Sequence, residues 1–150
     1  MCLCRSVQYN PLRIAKDNIV CYKVVHVVWE DRHKFMTKLL RILHLLKRFE
    51  TWYQGAPITL GETVSAEPEY TKKELEEIDK RYITIAKGFI HSFKTLDDAK
   101  AFAKHVYWST YATVVKCVIP KGTYYFSGED SDDVPGYASC QLKYVKVVQW

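Results

Sequence analysis

Apolar and polar positions change their period several times along this chain. Ile19–Trp29 reads IVCYKVVHVVW, dense in β-branched and aromatic residues, and predicts the strongest strand of the sequence. Strict alternation puts Cys21, Lys23 and Val25 on one face of it, with Val20, Tyr22, Val24 and His26 on the other. From Lys34 to Phe49 the spacing becomes helical. Phe35, Leu39, Ile42, Leu46 and Phe49 recur as a stripe, while Lys34, Lys38, Arg41, Lys47 and Arg48 occupy the remainder, which predicts a basic amphipathic helix over 34–49. A core helix with a solvated cationic face is the simpler account of it, and docking into a partner's groove the alternative. Residues 1–18 are polar, hold Pro11 and are expected to form an N-terminal arm.

Gly55, Pro57, Gly61 and Pro68 then punctuate short extended pieces. Thr71 with Glu74 makes a capping box that predicts a helix ending near Arg81, and the following segment through Phe93 reads as a short strand interrupted by Gly88. Thr95 with Asp98 makes a second box, starting a helix to about Trp108 with Leu96, Ala99, Phe102, Ala103 and Val106 inward. The last third predicts a strand at Tyr111–Ile119, a turn at 120–122, a short strand at Thr123–Phe126, an acidic loop over 127–136 and a closing strand at Tyr137–Val148. The expected architecture is a single α+β domain over 1–150, with one mixed or largely antiparallel sheet flanked by two or three helices.

Composition narrows the function classes. Apolar residues are 48% and charged residues 26%, a balance that points to neither disorder nor a membrane class. No apolar window reaches membrane-spanning or signal length, so no membrane partner and a cytoplasmic location are expected. Lys and Arg outnumber Asp and Glu by 22 to 17, a net +5 that suits an anionic partner. No nucleic-acid reader motif accompanies it.

Candidate chemistry is sparse. The five Cys form an odd set, and Cys21 and Cys117 lie in apolar runs, so free thiols are predicted. Cys2 and Cys4 are too closely spaced for a zinc knuckle, and the carboxylates of 129–133 lack the EF-hand pattern, so no metal is expected. Phosphate-cradling Gly-rich loops, HExxH and GxSxG are absent, and no catalytic residue or cofactor is predicted. The 88–95 segment says more. It passes from strand to capped helix, so His91, Ser92 and the free amides of the helix start are expected to face one anionic ligand. The alternative is a corner in which Ser92 satisfies backbone and His91 packs on a neighbour.

The segments IVCYKVV, YQGAPITLGETV, GFIHSFKTLDDAKAFA, VVKCVIPKGTYYFSGE and YASCQLKYVKVV, after an N-terminal MCL, together resemble a family of small proteins encoded by phages and prophages of gut bacteria, with 33–50 as an insertion. Their order is also similar to that of ADP-ribosyltransferase-like folds: Tyr22 and Lys23 on a first strand, His91 and Ser92 before a helix with Ala99 to Ala103, then Pro120 to Thr123. Ala138-Ser139-Cys140-Gln141 stands where that pattern has its catalytic Glu. The resemblance implies a degenerate fold of that kind that keeps nucleotide binding, with Tyr22, Lys23, His91 and Ser92 lining the ligand and Tyr53 and Tyr125 as further walls. Alternation allows only one of Tyr22 and Lys23 to face such a pocket unless a bulge intervenes. The function this implies is that of a non-enzymatic accessory protein that counters host defence by sequestering a nucleotide-like small molecule, such as an NAD-derived or cyclic-nucleotide signal. The alternatives are an active ADP-ribosyltransferase-like enzyme and an inhibitor that docks on a host protein through the 34–49 helix.

Overall fold

The computed structural model describes residues 12–29, 47–51, 56–66, 88–105, 112–130 and 132–148. Their elements in chain order are β1 Arg13–Ile14, β2 Ile19–Trp29, β3 Lys47–Thr51, β4 Pro57–Ile58, β5 Thr63–Ser65, β6 Ile90–Phe93, α1 Leu96–His105, β7 Ala112–Ile119, β8 Tyr124–Glu129, β9 Pro135–Ser139 and β10 Gln141–Val148. Strand accounts for 61% of the described residues, against one ten-residue helix. The expected α+β domain with two or three helices is thereby corrected to a β-rich fold, in which every strand pairing among the described residues is antiparallel.

The strands form one sheet in the order β1-β8-β9-β6-β2-β7-β10-β5, with β3 pairing β2 and β4 off that path. β2 is its hub because its run of β-branched residues is long enough to serve three neighbours. One edge pairs β7 continuously from Ile19 opposite Ile119 to His26 opposite Ala112. The other edge is shared: β6 meets it at Tyr22 opposite Phe93, and β3 takes over from Val25 opposite Thr51. Between Tyr22 and Val25 the sheet forks, and Lys23 stands in the fork.

The alternation expected of β2 is realised. Cys21 and Val25 enter a core with Ala15, Ile58, Val115, Cys117, Ile119, Leu142 and Tyr144, against which Ile90, Tyr125 and Tyr137 also pack. Residues of β1-adjacent chain, β2, β4, β6, β7, β8, β9 and β10 thus share one interior, so the sheet curls around it. Val24 lies on the outer side with Phe93, Val114, Ala99 and Ala103, the last two from α1. Thr95 starts α1 as expected, its Oγ1 accepting the Asp98 amide at 3.1 Å. A small third cluster joins Phe89, Phe126 and Ala138.

Several boundaries differ from the sequence expectation. Lys47–Thr51, assigned in part to the 34–49 helix, is a strand, because five residues of β2 from Val25 to Trp29 offer it a partner edge. The 34–46 part of that helix, the 71–81 helix and 106–108 lie outside the described residues. Arg13–Ile14, placed in the arm, pairs β8 at Tyr125 and Tyr124. β8 runs on through Glu129, shortening the acidic loop, where Asp130 Oδ1 accepts the amides of Asp132 and Val134 at 3.0 Å each. The closing strand breaks at Cys140 into β9 and β10, with Ser139 Oγ donating to the Gln141 carbonyl at 2.9 Å. Among the described residues no helix is long and apolar enough to cross a membrane.

Candidate ligand-binding face

Lys23 shares the inner face of β2 with Cys21 and Val25, and its Nζ donates to the His91 carbonyl at 2.8 Å. The fork explains that bond. A carbonyl of β6 that faces the shared edge of β2 receives a side-chain amine where the strands diverge. Burial lowers the Lys23 ammonium from its ordinary value, opposed by the nearby Cys117 and Cys21 sulfurs.

Those two Cys stand directly opposite each other across β2 and β7, both free and both wholly buried. Burial pushes the Cys21 thiol up to about 11, while contact with the Ser92 hydroxyl and the charge of Lys23 pull the other way. Burial and the neighbouring Cys21 push Cys117 further up still. Both are therefore protonated at neutral pH and poor nucleophiles. Among the described residues no group of His, Cys, Asp and Glu is placed to hold a metal.

Ser92 continues the inner face onto β6, wholly buried, and lies opposite Tyr137 of β9. Tyr137 and Tyr125 meet edge to face, their ring centres 5.8 Å apart and their planes at 74°. Lys94 Nζ sits 5.3 Å from the centre of the Tyr137 ring, a cation–π distance. Arg13 lies opposite Tyr125 on the edge strand. The Tyr137 phenol is raised from its ordinary value, first by burial, then by Tyr125 and Cys21, with Arg13 acting against them. Ser139 lies opposite both Ile90 and Tyr125, and Glu129 opposite Pro135 at the far end of β8. From β2 to β1 the inner face thus presents an amine, buried hydroxyls, two half-buried phenols, a second amine and a guanidinium.

The sequence-derived site divides between the two faces. Lys23, Ser92 and Tyr125 fall on the inner one. Tyr22 packs with Val24 and Phe93 on the helix-covered side, and His91 alternates with Ser92, opposite Ala138 on β9. His91 joins the site through its backbone carbonyl, and its imidazole lies on the other side. Tyr53 lies outside the described residues. The start of α1, expected to greet the anion, carries Asp97 and Asp98 in its first turn, which already complement the helix dipole. Arg13, Lys94 and Tyr137 escaped the sequence reading. Alternation along PGYAS could have paired Tyr137 with Ser139, but nothing local places Arg13 beside Tyr125.

In comparisons with known proteins, no family model, no curated protein and no solved structure matches this chain.

Proposed function

We propose that this chain binds a nucleotide-like anionic small molecule on the inner face of its curled sheet and holds it without turnover, as a cytoplasmic phage or prophage accessory protein that sequesters such a signal. One observation carries the reading: the Tyr125–Tyr137 pair bracketed by Arg13 and Lys94, on the face that Lys23 shares. Phenol rings stack on bases with roughly 1–3 kcal/mol per base. Guanidinium and ammonium groups meet phosphate, the guanidinium with a planar fork. The thiols nearest this face are protonated and supply no nucleophile, which supports holding over turnover.

Calorimetric titration with ATP, NAD and a cyclic dinucleotide tests the reading, alongside analysis of any nucleotide released when the purified protein is heated. Arg13 is exposed, so Arg13→Ala should leave the fold intact while weakening binding about tenfold, the lower end for a hydrogen bond to a charged group. Binding of none of these nucleotides, or unchanged affinity in both Arg13→Ala and Lys94→Ala, overturns it.

A further inference from the structure

We propose that Cys21 and Cys117 form a disulfide site that is open only while the chain folds, so that the closed sheet seals whichever state, dithiol or disulfide, it folded around. This role is independent of the nucleotide-binding reading. Register makes the argument. The two Cys stand directly opposite each other in the continuous β2–β7 ladder and enter the same core cluster, so their side chains leave one face of the sheet side by side. Opposite residues of an antiparallel pair have Cα atoms about 4.5–5.5 Å apart, inside the window of about 4.4–6.8 Å that a disulfide spans. Their Cβ atoms lie about 4.5–5.5 Å apart against about 3.5–4.5 Å in a disulfide, so a small closing of the two strands completes the bond. It also needs rotation at Cys117, whose Sγ gives up only a weak contact to the Val115 carbonyl at 3.5 Å. Cys140, the third thiol among the described residues, packs elsewhere, against the Phe89, Phe126 and Ala138 cluster.

Burial sets the timing. Both thiols are wholly buried, so the folded sheet shields them from an oxidant. The β2–β7 ladder runs from Ile19 to His26 through the hub of the sheet, and exposing the pair means opening that ladder. In the unfolded chain both thiols meet solvent and regain ordinary acidity. Glutathione disulfide then serves as the oxidant. One Cys thiolate attacks a sulfur of that disulfide, breaks its S–S bond and releases one glutathione thiolate. The second Cys thiolate attacks the protein sulfur of the mixed disulfide, forms the Cys21–Cys117 bond and releases the other glutathione. The two Cys lose two electrons, the glutathione disulfide gains them, and the two thiol protons pass to the released glutathiones. Once the sheet closes, the bond is as hidden from reductants as the thiols are from oxidants.

The test is refolding of the full chain from urea in a buffer of reduced and oxidised glutathione, followed by alkylation of the remaining thiols and peptide mass spectrometry without reduction. A peptide linking Cys21 to Cys117 should dominate over every other pairing of the five Cys. It should persist in Cys140→Ser and vanish in Cys117→Ser. The linked protein should keep the circular dichroism of the reduced protein and unfold at higher urea, because the bond closes a loop of roughly 100 residues in the unfolded chain. The same buffer applied to protein already folded in reductant should leave Cys21 and Cys117 free, and reductant applied to the linked protein should cut the bond only once urea is added. Three results overturn the proposal: no excess of the Cys21–Cys117 peptide after oxidative refolding, a linked protein that has lost the sheet spectrum, or oxidation of the pair as fast in the folded as in the unfolded chain.

Discussion

The two faces of β2 and β6 use alternate residues of the same strands and have opposite characters. On the outer side Val24, Phe93 and Val114 meet Ala99 and Ala103 of α1, and Phe93 lies 5.3 Å from Phe102 between ring centres. This side is apolar and covered by a helix. On the inner side, one residue along each strand, stand Lys23 and Ser92, leading to the Tyr137–Tyr125 pair and its cations. The helix-covered face is a packing surface, and the other face gathers the amines and phenols on which the proposed binding rests.

Substitutions can break that division. The largest effect is expected from Phe93→Ala on the outer face, where loss of a buried ring and its cavity should cost about 3–5 kcal/mol in urea unfolding. If the faces are independent, nucleotide affinity of the fraction that remains folded is unchanged. Lys23→Met should act in the opposite direction, raising stability by about 1–2 kcal/mol at neutral pH, because it removes a buried amine that has no carboxylate partner among the described residues. The sign with pH follows from the lowered folded value. Between that value and the ordinary 10.5 the unfolded chain holds the extra proton, so the parent gains stability as pH rises through that window. The advantage of Lys23→Met should therefore be full below the window and shrink toward its upper end. Cys21, Cys117 and Tyr144, raised in the folded chain, lose stability as pH climbs past their ordinary values, but they do so in both proteins and largely cancel in the difference. A difference that grows with pH would overturn this account. The smallest energetic effect is Thr95→Ala, about 1 kcal/mol from loss of the cap of α1, again without change in binding. Thiol kinetics sharpen the contrast further: a bulky aromatic disulfide reagent should modify half-buried Cys140 well before Cys21 and Cys117, and denaturant should erase the order.

The sequence revealed what is local. β2 was legible from end to end because eleven consecutive residues favour an extended chain. The start of α1 was legible because Thr95 and Asp98 make a cap within one turn. Long-range pairing was hidden. Phe49 fits a helical stripe after Leu46 as well as a strand opposite Val27, and only the free edge of β2 decides for the strand. The loss of expected helix follows in part from that ambiguity. The site shows the same boundary: alternation separated Lys23 from Tyr22 correctly, yet Arg13 and Tyr137 meet Tyr125 through pairings that join distant parts of the chain. His91 was selected for its imidazole, while the structure engages its carbonyl.

The margins of the sheet bear on self-association. A sheet edge is a template for another chain's backbone, and its hazard grows with the length of flat, unpaired strand. Among the described residues the outermost strands are β1, β4 and β5, of two, two and three residues. Beyond the reach of β5, β10 breaks its register between Tyr144 and Lys146, and exposed Lys143 and Lys146 flank that bulge. Bulges twist an edge out of line and lysines resist burial against a second copy. The described part of the chain, mostly strand, is thus left with little straight backbone on which another molecule could add, and fibril growth from these edges should be slow.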